Sequence, residues 1–102
     1  MAGVTKSANK VLCKLYKEYL SRIKNGISKS NALIFDSLSL SQLFENQDIE
    51  FEKSELSKNS LIETWITGDV LLNSETIIYM ENRFKNGIIE VTDFLAKLKT
   101  LT

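Results

Sequence analysis

The sequence predicts a mostly helical α+β domain, and two observations carry that prediction. Apolar residues recur three and four positions apart over most of the 102 residues, which is the spacing of amphipathic helices. Residues 60–73 differ, because they are rich in β-branched and aromatic residues and contain the turn-forming sequence Thr67-Gly68-Asp69. The length suits one domain and is too short for two.

The first predicted helix begins after Thr5 or Ser7, either of which can cap its N-terminus, and it ends at Lys24. Asn25-Gly26 terminates it, because glycine tolerates the left-handed conformation that closes many helices. The apolar residues form one stripe. Most of the lysines fall on the opposite side, here named the lysine face: Lys6, Lys10, Lys14, Lys17 and Lys24.

Three further segments precede the predicted hairpin. A short second helix is predicted from Ser28 to about Asp36. Residues 37–43 (SLSLSQL) alternate apolar and polar side chains, which fits either a short strand or a loop with one helical turn. A third helix is predicted to begin at its cap, Asp48, and to end near Asn59.

Residues 60–66 and 70–73 are predicted to pair as a β-hairpin around the turn. The alternative is that the third helix continues through the first of these segments and ends at Gly68, because its apolar residues also fit helical spacing. Trp65, the only tryptophan, either packs in the core or is an exposed contact residue.

Two helices are predicted after the hairpin. The fourth is capped by Asn73 or Ser74 and ended by Asn86-Gly87, and the fifth spans about residues 88–100. The fourth helix is predicted to bury three residues: Ile77, Met80 and Phe84. The fifth carries an apolar stripe: Ile88, Val91, Phe94, Leu95, Leu98 and Leu101. This stripe either packs on the first helix or joins the same helix of a second copy in a homodimer, and the sequence leaves both alternatives open.

The predicted order, three helices, a hairpin and two helices, is that of a single winged helix-turn-helix domain over residues 1–102. The chain also resembles small uncharacterised winged-helix proteins of Gram-positive bacteria and their mobile elements, the YjcQ-like proteins. The resemblance rests on residues 14–20 (KLYKEYL), 26–32 (GISKSNA), 55–57 (ELS) and, most specifically, 72–84 (LNSETIIYMENRF). It implies a winged-helix fold and, by analogy with that fold, DNA binding.

The composition limits the chemistry that this chain can perform. It has no histidine and one cysteine, Cys13, which excludes histidine-based catalysis, histidine metal ligation, a zinc knuckle and an internal disulfide. Its glycines form no phosphate-binding loop, and its longest apolar runs have four residues, far fewer than the roughly 20 that span a membrane. We therefore expect a non-enzymatic cytoplasmic protein without cofactor, metal or membrane contact.

The formal net charge of zero conceals a gradient along the chain. Residues 1–30 hold seven basic side chains against one acidic, and residues 31–60 hold two against six. The lysine face is either a phosphate-binding surface or a solvated helix face. Further candidates for DNA contact lie in the second and third helices: Lys29, Ser30, Asn31, Lys53 and Lys58.

Two functions fit these features. The first is binding of duplex DNA by a regulator or accessory factor. The second is a protein-interaction module, because the acidic residues of the third helix repel DNA and suit a basic protein partner. The candidates for protein contact are Glu50, Glu52 and Glu55 of the third helix, together with Phe94, Leu95, Leu98 and Leu101 of the last.

Overall fold

The computed structural model describes residues 4–101, with the side chains of residues 4–98. The described residues form six helices and three short strands in this order: α1 (Lys6–Lys24), α2 (Lys29–Ala32), β1 (Ile34–Phe35), α3 (Ser37–Leu43), α4 (Glu50–Lys58), β2 (Ile62–Thr64), β3 (Val70–Leu72), α5 (Ser74–Arg83) and α6 (Ile88–Leu101). The protein is therefore α+β and mostly helical, with one small antiparallel sheet of order β1-β3-β2.

α1 is the central helix of the core. It packs against both α4 and α6. Val11 and Cys13 are both buried although they lie about 200° apart around the helix axis. At most about 160° of the circumference of α1 therefore faces solvent. Thr5 caps the helix, since its hydroxyl accepts a hydrogen bond from the Ala8 N–H at 3.3 Å, and Gly26 follows its end with a φ of 88°. The predicted bounds of this helix are confirmed.

Arg22, near the end of α1, fixes the chain that follows. Its guanidinium donates to the carbonyl oxygens of Ala32 at 3.3 Å and Ile34 at 2.6 Å, and it lies 4.3 Å from the centre of the Phe35 ring. β1 then pairs with β3, with Phe35 opposite Val70. The prediction of a helix extending to Asp36 is thus wrong beyond Ala32. The bonds from Arg22 and the pairing with β3 hold Ile34 and Phe35 in an extended conformation instead.

Residues 37–43 form a helix of seven residues rather than a strand or a single turn. Asp36 caps it, because its carboxylate accepts a hydrogen bond from the Ser39 N–H at 2.8 Å, and this bond holds the pKa of Asp36 below its usual range. Leu40 is buried, whereas Leu38 is exposed. The alternating pattern therefore does not reflect a strand with one buried face.

β2 and β3 form the predicted hairpin, with Glu63 opposite Leu71. The alternative of a continuing helix is wrong. α4 ends at Lys58, and Ser60 has a φ of 60°, which turns the chain out of the helix. Ile62 at the start of β2 is buried in the core, and β2 forms one edge of the sheet.

α5 and α6 close the core on the far side of α1. Ile77, Met80 and Phe84 are buried as predicted. Val91 of α6 is also buried, and Phe94 and Leu95 pack against the core. The stripe of α6 therefore packs on α1 within one chain, as the first alternative predicted. Leu98 is half-buried, and the side chain of Leu101 lies outside the described residues.

α1, with its 19 residues, is amphipathic. Neither it nor any other helix in the described part of the chain has the apolar length of a membrane crossing.

Candidate functional site

α4, the third predicted helix, lies between α1 and the β2–β3 hairpin. Leu56 is fully buried at the centre of its inner face. On one flank, the Glu55 carboxylate accepts hydrogen bonds from the Thr5 N–H and, at 2.8 Å, from the Thr5 hydroxyl. On the other flank, the Lys53 ammonium donates to the Gly68 carbonyl in the hairpin turn at 3.4 Å. α4 is thus fixed on both sides by side chains that the sequence analysis assigned to partners.

The acidic residues of α4 are largely used within the molecule. The Asp48 carboxylate accepts from the Glu50 N–H at 3.0 Å, and Glu50 pairs with Lys53 at 3.2 Å. Glu52 is half-buried and lines a groove of about 180 Å³ together with Lys10. Asp48 and Glu50 both remain exposed, with 78% of the Glu50 side chain accessible. Of the three acidic candidates for protein contact on this helix, Glu50 is exposed, whereas Glu52 and Glu55 are half-buried.

The middle of the lysine face of α1 adjoins the start of α4. Lys10 and Lys14 line the groove with Glu52, and the Lys14 ammonium lies 5.6 Å from the centre of the Phe44 ring. Lys17 is half-buried, whereas Lys6 is exposed at the start of the helix. None of these lysines lines a groove beside the hairpin, so the lysine face and the hairpin are not joined in one basic groove.

Both arginines of the chain make internal contacts. Arg22 binds the carbonyl oxygens near β1, as described above. Arg83 donates to the Asn9 side-chain oxygen at 2.8 Å and lies 4.8 Å from the ring centres of both Phe84 and Phe94. Arginine is the side chain that most often reads guanine edges, and neither arginine here is free to do so. Charge patterns along the sequence did not indicate these roles, because partners such as Asn9, Phe35 and Phe94 are distant from the arginines in the sequence.

The candidates for DNA contact are divided between two places. Lys29, Ser30 and Asn31 are exposed on α2, which packs on α1. Lys53 is buried by its contacts with Glu50 and Gly68, whereas Lys58 is exposed at the end of α4. The α2 residues do not line the groove that Lys53 and Lys58 share.

The outer side of α4 and the neighbouring hairpin carry exposed apolar side chains. Phe51 is 70% exposed and lies on the same helix face as Ser54 and Lys58. In the hairpin, Trp65 is 44% exposed and Ile66 is fully exposed. We call these five residues the α4–hairpin surface. Trp65 is therefore at the surface, as the second of its two predicted alternatives stated.

Two grooves border this surface. The α4–hairpin groove, of about 390 Å³, runs between the helix and the turn and is lined by Glu50, Lys53, Ser54, Ser57, Lys58, Thr64, Trp65, Ile66 and Gly68. The β2-edge groove, of about 460 Å³, is lined by Ser57, Ser60, Ile62, Glu63, Thr64, Trp65 and Asn73. Ser57, Thr64 and Trp65 line both, so the two grooves are continuous along β2.

The hairpin turn is held close to the helices. The Ser37 hydroxyl donates to the Thr67 carbonyl at 3.0 Å, next to the bond from Lys53 to Gly68. Gly68 has a φ of 91°, and a Cβ atom there would lie 2.9 Å from the Ser37 hydroxyl oxygen. Only glycine fits this turn without strain, and the backbone of the turn is held by Ser37 at the start of α3 while the Ile66 side chain projects into solvent.

Cys13 is a structural residue. It is fully buried, and burial raises the pKa of its thiol to about 11. The thiol donates to the Asn9 side-chain oxygen at 3.8 Å. Within residues 4–101, no three acidic or cysteine side chains are grouped in a way that would hold a metal ion.

We expect iodoacetamide at pH 8 to leave Cys13 of the folded protein unmodified for hours and to alkylate it rapidly in urea. The protonated, buried thiol is neither nucleophilic nor accessible, because the thiolate is the reactive form. Mass spectrometry after timed quenching measures the modified fraction. Equal alkylation rates in buffer and in urea would contradict this assignment.

Comparisons of the chain with protein-family models, with curated proteins and with solved structures find no significant match.

Proposed function

We propose that this protein is a non-enzymatic binding domain of the winged helix-turn-helix type whose α4–hairpin surface binds another protein. The order α1, β1, α3, α4 and hairpin, with β3 between the other two strands, supports this fold type. α3 and α4 then correspond to the helix-turn-helix pair, with α4 in the place of the recognition helix. The single buried thiol suits the reducing conditions of the cytoplasm.

The observation that carries the proposal is the exposure of three large apolar side chains where a winged-helix domain faces its ligand. Phe51, Trp65 and Ile66 are exposed on the α4–hairpin surface. Exposed apolar clusters with polar neighbours are typical of protein-interaction sites, and aromatic residues dominate the binding energy of such sites. A DNA-reading surface instead carries arginine, lysine, asparagine or glutamine toward base edges and phosphates. On this surface Lys58 is the one basic residue among the five.

Photo-crosslinking in the cells that make the protein tests this proposal. Benzoylphenylalanine is placed at position 51 or 66, and at position 78 as a matched control. Ile78 is an exposed apolar residue on α5, outside the α4–hairpin surface. We expect the first two positions to yield a common covalent adduct with one protein that position 78 does not yield.

The crosslinked protein is then purified and its affinity measured by calorimetry. Phe51→Ser and Ile66→Ser should each weaken binding by about tenfold or more, the range of interface hot spots, whereas Ile78→Ser should leave it unchanged. Adducts that are the same at all three positions, or absent from positions 51 and 66, would refute the proposed function.

DNA binding is the second candidate function. It is favoured by the exposed Lys58 and by the hydroxyl groups of Ser54, Ser57 and Thr64 in the α4–hairpin groove, which suit phosphate oxygens. If DNA is the ligand, a mixed-sequence duplex should bind at about 50 mM salt and dissociate steeply as salt rises. Lys58→Glu should then weaken binding more than Lys24→Glu on the lysine face. Absence of binding by fluorescence anisotropy at low salt excludes this candidate.

A further inference from the structure

The outward face of α4 carries two exposed charges of opposite sign. Glu50 is the first residue of the helix and Lys58 is the last, so they lie about 12 Å apart along its axis. Around the axis they lie about 80° apart, on the side opposite buried Leu56. The other ionisable side chain among the described residues lining the α4–hairpin groove is Lys53, which is buried. The exposed charges of the groove therefore balance.

Both exposed charges can be reached by a partner. Lys58 is exposed at the end of α4, and Glu50 keeps 78% of its side chain accessible although its Oε1 atom accepts from Lys53. Ser54 is exposed midway between them, four residues from each. Its small side chain allows another helix to approach closely. The 70% exposed ring of Phe51 projects from the same side of α4.

A two-fold axis beside Ser54 makes this face complementary to itself. When two α4 helices pack antiparallel across such an axis, position 50 of each copy lies opposite position 58 of the other. Each Glu50 carboxylate then faces a Lys58 ammonium. The Phe51 ring comes next to the same lysine, where a cation–π contact is favourable.

Other arrangements fit these charges less well. Parallel pairing of two α4 helices would place Glu50 opposite Glu50 and Lys58 opposite Lys58, and like charges repel. A uniformly acidic partner would be repelled at one end of the face, and a uniformly basic partner at the other. The charges therefore select a partner helix with the same two charges in reversed order at the same spacing, and a second copy of this chain supplies it.

The apolar residues of the α4–hairpin surface supply the buried area of such a contact. Trp65 and Ile66 line the groove beside α4, and the two-fold axis places both hairpins on the same side of the helix pair. With Phe51, each copy contributes three large exposed apolar side chains. This is a small interface, so we expect association in the micromolar range.

We propose that this protein forms a homodimer through its α4–hairpin surface, with the two α4 helices antiparallel and Glu50 of each copy paired with Lys58 of the other. Ser54 lies beside the two-fold axis. This inference rests on the proposed function, since it names a second copy of the chain as the protein that this surface binds. The dimer covers α4, so the same surface cannot contact DNA at the same time.

Sedimentation equilibrium of the full chain measures the association. We expect the apparent mass to rise with concentration from 11.6 kDa toward twice that value. Glu50→Lys and Lys58→Glu should each weaken self-association about tenfold, because each change places like charges opposite one another twice in the dimer. Glu75→Lys, the same change at an exposed position of α5, should leave the association unchanged.

A mixture of the two charge variants tests the pairing directly. The Glu50→Lys chain has only basic side chains at positions 50 and 58, and the Lys58→Glu chain has only acidic ones. Each variant should therefore repel itself and attract the other, and the equal mixture should regain the association of the wild type. A mixture of Glu75→Lys with Lys58→Glu should not regain it.

Disulfide formation tests the position of the two-fold axis. Ser54→Cys adds one accessible thiol to the chain, because Cys13 is fully buried. In oxidised glutathione this variant should form a disulfide-linked dimer at least about tenfold faster than Ile78→Cys, because only position 54 meets its own copy. Circular dichroism confirms folding of each variant. If Glu50→Lys does not fold, Lys58→Glu and Ser54→Cys decide the question.

Three results would overturn the inference. These are a mass that stays at 11.6 kDa at millimolar concentration, a dimer that the charge variants do not weaken, and equal rates of disulfide formation at positions 54 and 78. A chain that stays monomeric but crosslinks to a different protein at positions 51 and 66 would support the proposed function and refute the homodimer.

Discussion

Replacing Phe84 by alanine should lower the free energy of unfolding by about 3–5 kcal/mol, the cost of truncating a buried aromatic ring. Phe84 follows α5 and is buried. Its ring centre lies 6.3 Å from that of Tyr16 in α1 and 5.5 Å from that of Phe94 in α6. Removing this ring leaves a cavity where three helices meet, and Arg83 loses one of its two aromatic contacts.

Urea unfolding measures this effect by two signals. Circular dichroism follows all helices, whereas the fluorescence of Trp65 follows the hairpin. We expect both transitions to shift together, because domains of this size usually unfold in one cooperative step. Phe84→Leu, which keeps much of the volume, should lose less than half as much. A loss below about 1 kcal/mol in Phe84→Ala would show that the site collapses around the cavity at little cost.

Replacing Arg22 by methionine should cost about 2 kcal/mol, because the Ala32 and Ile34 carbonyls lose their donor and the Phe35 ring loses its cation. Methionine retains the apolar length of the side chain, so the loss of stability measures the contribution of the guanidinium group. The same urea experiment measures it.

Two controls identify the source of that loss. Arg22→Lys keeps the charge but lacks the planar guanidinium that lies on the Phe35 ring while one of its nitrogens bonds both carbonyl oxygens, and we expect it to recover at most half of the stability. Glu18→Gln removes the partly exposed ion pair with Arg22 and should cost no more than about 0.5 kcal/mol. If Arg22→Lys were as stable as the wild type, the positive charge rather than the planar guanidinium group would hold β1 in place.

The sequence predicted those elements whose signals are local. Thr5 and Asn25-Gly26 bound α1, and Asn86-Gly87 separates α5 from α6, because caps and left-handed closures depend on a few adjacent residues. The hairpin was also predicted, since β-branched residues and turn residues lie next to each other there. The end of α2 was not, because it depends on the reach of Arg22 across the start of β1.

The candidate site was harder to predict than the fold. Charge patterns identified Glu55 and Lys53 as partner-binding residues, but packing against Thr5 and Gly68 engages both. Phe51 had no distinguishing signal, because an apolar residue on a half-polar helix can point to either side. Whether Trp65 points into the core or into solvent depends on how the hairpin turn is bonded to α3 and α4. Those bonds join residues that are distant in the sequence.

The central position of α1 has a consequence for biosynthesis. A ribosome makes α1 before the other elements described here, yet α6, which packs on α1, is made last. Until α6 emerges, apolar surface of α1 that it covers stays open to water. Native packing of the core is therefore completed only after α6 has left the ribosome, and until then the growing chain is a substrate for chaperones that recognise exposed apolar helices.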